Sequence, residues 1–282
     1  MKPTPVSPLT NALAALELTE IDDDRFTADN IDLGARRLFG GQLLAQMLVA
    51  AARTVPEPAQ PRSLHVYFLA PGNSEDRVEF AVTRTRDGRR LSNRSVTAEQ
   101  ADRVLATAMV SVAAPSEGVA HQAPMPTVPP PEQCPTLADW AEQWGGLTEI
   151  WSTMNVADFR LVPDPPDGTT MAWLRAAGPL PDQPVTHAAW ALLMSDITAL
   201  AAGLAAHDVP VGGEHLGDRP WGAVSLDHAM WFHRPARADE WLLYAQRSPS
   251  SSDGRGLVVA DVFTVDGRCV GSFTQEGLFA QS

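Results

Sequence analysis

Residues 187–207 read HAAWALLMSDITALAAGLAAH. As a helix, this stretch is apolar on every face, and a single carboxylate, Asp196, interrupts it. A helix of that kind cannot lie on the outside of a sheet; it has to be enclosed. Residues 39–55, FGGQLLAQMLVAAARTV, repeat the pattern and are stopped by Pro56. Two enclosed helices in a chain of 282 residues demand two wrapping sheets.

Each helix sits in the same succession of segments. Before the first come a short helical candidate at 9–18 and a weakly alternating strand at 25–33. After it, strand-like runs at 62–69, 77–86, 91–99 and 104–113 are punctuated by Pro71-Gly72, Asp87-Gly88 and residues 100–103. In the second half, TTMAWLRA (169–176) precedes the helix. A glycine-rich loop at 211–217 and strands near 223–233, 240–247, 256–264 and 269–279 follow it. YFLAPGNSED from Tyr67 aligns with WFHRPARADE from Trp231, and ADRVLATAMVSV from Ala101 with DGRCVGSFTQEG from Asp266. The helices then align with Gln46 opposite Asp196, and Val110 falls opposite Gln275. This is an internal duplication.

The expected fold is α+β: two tandem units, 1–115 and 169–282, each a curved antiparallel sheet around one buried helix, paired edge to edge. Residues 116–168 form the connection, proline-rich at 129–131, with a short helix at 137–144. Its tryptophans, Trp140, Trp144 and Trp151, read as the core of a connecting subdomain.

A formal net charge of −13 argues against nucleic acid or an anionic membrane as partner, and no membrane insertion is expected. Lys2 is the only lysine, so positive charge is carried by arginine. Two cysteines give neither a disulfide framework nor zinc-ligand spacing. With no secretory or peroxisomal signal, a cytoplasmic location is expected.

Several residues carry chemistry. Asp196 is costly to bury without partners, which marks it either as a general base or as a cap, with Ser195, on a helix restarting after a kink. Gln275, inside an apolar strand, either orients a water or ties down a loop. Ser225 opens a strand; no G-x-S-x-G turn exists to make any serine a nucleophile. Gly40-Gly41-Gln42 starts the first helix, where free N–H groups can polarise a carbonyl or glycine can permit close packing. Asp227 and His233 share a strand face but stand about 20 Å apart, and His228 points the other way, so a metal site is not expected. These three read as core and hydrogen-bonding residues. Arg84, Arg86, Arg89, Arg90, Arg94, Arg234 and Arg255 are candidates for phosphate contacts.

FGGQ, HVYFLAPG, TRDGRRLSNRSV, SDITAL, LDHAMWFHRP and TQEG occur in order along the chain. Together they resemble the type II acyl-CoA thioesterase family. The resemblance implies a double hotdog fold, an acyl-CoA substrate cleaved to free acid and coenzyme A without a cofactor, and assembly as a homo-oligomer, a dimer of double hotdogs. It implies catalytic roles for Asp196, Ser225 and Gln275; the residues' own chemistry adds Gly40, Gly41, Gln42 and Arg234 as candidate substrate contacts. The family usually has threonine at the Ser225 position and often arginine at Ala70. An acyl-CoA-binding or sensing protein is the alternative. A hotdog hydratase would need a histidine beside Asp196, and none lies near it on that helix. Because Gln46 and Val110 cannot replace Asp196 and Gln275, one site per chain is expected, centred on the second half.

Overall fold

In the computed structural model, which describes residues 7–216 and 220–281, the enclosed-helix pattern is realised twice. Helix α1 (Pro8–Leu16), capped by Ser7, leads into a hairpin of β1 (Thr19–Asp22) and β2 (Arg25–Ala28). Helix α2 (Gly40–Arg53) is buried from Gly41 through Ala51. Strands β3 (Gln60–Phe68), β4 (Val78–Asp87), β5 (Leu91–Gln100) and β6 (Arg103–Ala113) complete the first unit. The connection holds α3 (Leu137–Ala141), with a Thr136–Asp139 capping box, and α4 (Glu149–Thr153). The second unit has β7 (Ala157–Leu161), β8 (Thr169–Ala176), α5 (Pro184–Ala205), β9 (Trp221–Ser225), β10 (Asp227–Phe232), β11 (Leu242–Ser252), β12 (Arg255–Thr264) and β13 (Cys269–Gln281).

The described strands form one sheet in the order β1-β2-β4-β5-β6-β3-β10-β13-β12-β11-β8-β7, with β9 added to the end of β13. The order β2-β4-β5-β6-β3 is the mirror of β10-β13-β12-β11-β8, the topological trace of the duplication. The two halves join where β3 pairs antiparallel with β10 about Ala229↔His65. That junction removes two sheet edges and lets α2 and α5 pack directly on one another in the shared interior. Helix α5 is long and apolar enough to cross a membrane, but it is the core helix and its wall of sheet encloses most of it.

Some boundaries differ from the sequence reading. The strand expected at 25–33 stops at Ala28, because buried amides on α2 claim the backbone beyond it. Gln42 Oε1 accepts from Ile31 N at 2.8 Å, and Gln46 Nε2 donates to Asp29 O at 2.9 Å. Strand β1 is exposed throughout and carries no apolar alternation that would announce it. Strand β7 lies inside the stretch read as connection, at the edge of the second sheet. The loop at 211–217 ends, at Gly217, outside the described residues. Residues 122–135 run over the outer face of the second sheet. There Met125, Val128 and Cys134 cover Met171, Trp173, Leu243 and Phe263, and Trp173 Nε1 donates to Pro129 O at 3.0 Å. Trp140 and Trp151 pack against the main core, and Trp151 Nε1 also donates to Glu214.

Candidate active site

Helix α5 runs unbroken through Asp196, so the reading of Ser195-Asp196 as a cap after a kink falls away. Asp196 faces the start of α2. A Cβ on Gly40 would stand 2.7 Å from Asp196 Oδ2, and one on Gly41 would stand 2.6 Å from Leu193 O. Both distances lie below any real Cβ contact; at 40 the carboxylate would have to move, and at 41 a backbone carbonyl blocks any side chain, so glycine lets the two helices approach this closely. The N-cap Phe39 offers no side-chain acceptor, and among the described residues nothing accepts from the N–H of Gly40 or Gly41. Two free amide donors therefore open onto the carboxylate's surroundings. Close packing and a free helix start, posed as alternatives in the sequence, hold together.

The two carboxylate oxygens of Asp196 are not equivalent. Oδ1 accepts from Gln275 Nε2 at 2.9 Å and from Ser225 Oγ at 3.4 Å. Oδ2 has no hydrogen-bond partner among the described residues and is the oxygen nearest Gly40. Gln275 Nε2 also donates to Ser225 Oγ at 2.8 Å. Ser225 reaches this cluster because β9 pairs with the end of β13, Ser225 opposite Gly277. The structure thus brings Asp196, Ser225, Gln275 and the Gly40-Gly41 helix start together, with Asp196 7% and Gln275 1% exposed.

A sixth residue joins them: His228, read from the sequence only as a core, hydrogen-bonding residue. His228 is fully buried, its Nδ1 lies 2.6 Å from Gln275 Oε1, and its Nε2 lies 3.0 Å from Ser195 Oγ. Since Gln275 Oε1 can only accept, Nδ1 carries the proton, and that bond fixes which way the amide faces. His228 also stacks on Phe273, with centroids 5.2 Å apart. The signal was present: His228, Met230 and Phe232 occupy alternate positions of β10, with Met230 in the core, so a histidine stood in an apolar row. What sequence could not supply was its partner on β13. His228 bonds to Gln275 and Ser195, and among the described residues no histidine is hydrogen-bonded to Asp196.

Burial pushes the His228 imidazole below its ordinary pKa, as it does His187 and His233. A histidine held neutral in the folded chain gains its proton more readily when unfolded. Its stability contribution is present above about pH 6.5 and is lost as pH falls toward the depressed folded value. The melting temperature should therefore drop as pH falls below about 6.5, and His228→Gln should flatten the drop; a profile unchanged by the substitution would remove His228 from this role.

Other sequence candidates lie elsewhere. Asp227 Oδ1 accepts from Glu276 N at 2.7 Å, and His233 Nε2 lies 2.8 Å from Ser272 Oγ, so each holds a separate joint. Among the described residues no His, Cys, Asp and Glu cluster could hold a metal ion. The Gln42 amide is fully buried and bonded to Ile31 N, Asn30 Oδ1 and Gln46 Oε1. Arg234 donates to the carbonyls of Cys269 and His121. Arg94 is fully buried on Thr54, Arg86 O and Asp87. Arg84 pairs with Asp24 at 2.8 Å and Arg255 with Glu276 at 3.6 Å. Arg86, Arg89 and Arg90 remain exposed.

Comparison with known proteins follows the same division into halves. Residues 27–113 match the family description "Acyl-CoA thioesterase N-terminal domain", and residues 131–279 match "Acyl-CoA thioesterase C-terminal domain". Human acyl-coenzyme A thioesterase 8 is 35% identical over 284 residues, spanning 93% of this chain and 86% of that protein. Acyl-CoA thioesterase 2 of Haemophilus influenzae is 30% identical over 288 residues, spanning 96% and 97%. Among solved structures, acyl-CoA thioesterase II TesB2 from Mycobacterium marinum superposes with a TM-score of 0.80 at 35% identity, covering 96% of this chain and 98% of that one. The duplicated helix-in-sheet architecture, the motifs and both halves of the match agree: this chain belongs to the acyl-CoA thioesterase family, with its double hotdog fold.

Proposed function

We propose that the chain hydrolyses acyl-CoA thioesters to a carboxylic acid and coenzyme A, with Asp196 as general base. The observation that carries this reading is the asymmetry of the carboxylate: Oδ1 is held by Gln275 and Ser225, while Oδ2 is free and turned toward the start of α2. A water at Oδ2 loses its proton to that oxygen as it attacks the thioester carbonyl. The Gly40 and Gly41 amides supply donors where negative charge develops on the carbonyl oxygen. Gln275 and Ser225 hold the base in place, and His228 holds Gln275. The thioester is thus met by residues of both units.

Release of free thiol from acyl-CoA, followed with a thiol reagent, is the direct test. Saturable binding without thiol release would make the chain a carrier or sensor instead. Single turnover in heavy-oxygen water should place the label in the acid product and leave Asp196 unlabelled. Label in Asp196 would mean that Oδ2 attacks the thioester itself.

A second copy of the chain is the proposed partner. Tyr67, Met109 and Trp231 stand exposed at 64%, 44% and 38% on β3, β6 and β10, around His65, which pairs with Met109, lies two residues from Tyr67 on β3, and packs edge-on against Trp231. An apolar group of that size at the centre of a sheet suits a docking face. Trp231→Glu should shift the sedimenting species to half the mass with thiol release retained, whereas an unchanged mass would place the contact elsewhere. A reducing, cytoplasmic setting agrees with Cys134 and Cys269, both buried and unpaired.

A further inference from the structure

The duplication that produced the active site also produced its counterpart. The alignment of Tyr67 with Trp231 sets Ser225 opposite Pro61, Leu226 opposite Arg62 and Phe68 opposite Phe232. The helix alignment sets Gly41 opposite Ala191. Pro61, Arg62, Phe232 and Ala191 all line one cavity of about 60 Å³, at the end of the β3–β10 pair away from Asp196. That volume holds a few water-sized groups and limits any occupant to a short chain.

This counterpart has no hydrolytic machinery. Pro61 has no hydroxyl, Val110 replaces Gln275, and Gln46 replaces Asp196 with its amide spent on Ala15 O and Asp29 O. Helix α5 begins at Pro184, so the N–H of Ala191 lies inside the helix rather than at a free start. What the cavity has instead is the positive charge of Arg62 and Arg234 and a neutral donor, His187. Arg62 is half-buried and has no hydrogen-bond or ion-pair partner among the described residues. Arg234, also lining it, donates only to backbone carbonyls. His187, a third lining residue, is 5% exposed; its Nδ1 accepts from Ala238 N at 3.1 Å, so its proton sits on Nε2, which has no partner among the described residues. The carboxylates nearby, Asp239 and Asp182, are already paired with Arg237. The turn bearing Arg89 and Arg90 lies at the same end, since Gln60 pairs with Ala113 and Ala113 with Leu91. The remaining wall is apolar, with Met230, Val262 and Val270.

We infer that this cavity is a second, non-hydrolytic site that binds a short-chain monocarboxylate, with Arg62 and His187 toward the carboxylate and Met230, Val262 and Val270 along the alkyl chain. The carboxylate class follows from the cavity's own charge. That the natural occupant is the acid released at Asp196 rests on the hydrolase reading above.

Calorimetric titration of the full chain with hexanoate tests it. Saturable binding is expected, weakened on the order of tenfold by Arg62→Glu and abolished by Ala188→Trp, which fills the cavity from α5. Hexan-1-ol should bind on the order of tenfold more weakly than hexanoate. Both variants should release thiol from acyl-CoA at the wild-type rate, which also reports that they fold; Arg62→Gln serves if the charge reversal disrupts folding. Absence of hexanoate binding, binding unchanged in the variants, or equal binding of the alcohol would each overturn the proposal. Failure of the wild-type chain to release thiol would instead sink the hydrolase reading and leave the hexanoate titration intact.

Discussion

Asp196→Asn should leave the fold in place and reduce thioester hydrolysis by a factor on the order of 10²–10⁴, the usual contribution of a general base. Asparagine matches aspartate in size, and its carbonyl oxygen can keep the bond from Gln275 Nε2 that Oδ1 now accepts at 2.9 Å. What it loses is the proton acceptor at the Oδ2 position. A buried charge is also removed from a position 7% exposed, so the variant should melt no lower than the parent chain. Circular dichroism and single-turnover thiol release on the same preparation decide the matter. Near-normal turnover in a folded Asp196→Asn chain would take the carboxylate out of the mechanism.

Gly40→Ala should be nearly as damaging to turnover while sparing stability. The added methyl would stand 2.7 Å from Asp196 Oδ2 and 3.3 Å from Phe68 Cζ, so the carboxylate must move to admit it. Misplacing a reacting group by about 1 Å costs on the order of 10²-fold in rate. Alanine is meanwhile the better helix former by about 1 kcal/mol, which offsets the crowding in the stability balance. Gly41→Ala should behave in the opposite way. Its methyl would meet Leu193 O at 2.6 Å and the Phe39 ring at 2.6 Å, and a backbone carbonyl inside α5 cannot swing aside. A loss of about 1–3 kcal/mol of stability is expected from such overpacking. Melting curves and kcat/KM on the pair should separate the two effects. Wild-type turnover in Gly40→Ala would show that the start of α2 is not a wall of the site.

The register of the sheet bears on how far the duplication could be read in advance. Leu64 pairs with Val110 across β3 and β6, and Ala229 with Thr274 across β10 and β13. One step along, His228 meets Gln275 through its side chain, at the place where Leu64 faces Val110. The alignment that set Val110 opposite Gln275 therefore agrees with the strand pairing. It also shows why the first half lost its chemistry as a set: Gln46, Leu64 and Val110 are all fully buried and none can act as a base.

The sequence by itself determined the two enclosed helices, the repeated strand order and the isolation of one carboxylate in an apolar helix. These follow from side-chain periodicity, which assigns each residue a face without knowing what lies across from it. The tertiary structure alone decided the partners. Gln42 and Arg94 look available in the sequence, yet long-range contacts with Ile31 and Thr54 engage them. His228 reads as a core and hydrogen-bonding residue, but its partner is Gln275 because β10 and β13 pair in one register and no other. Asp196 meets Gly40 only because joining β3 to β10 lays α2 against α5. A face is a local property of the chain, whereas a partner is set by how two remote surfaces close on each other, and that closure sets one oxygen of Asp196 beside two amides, all three without a partner among the described residues.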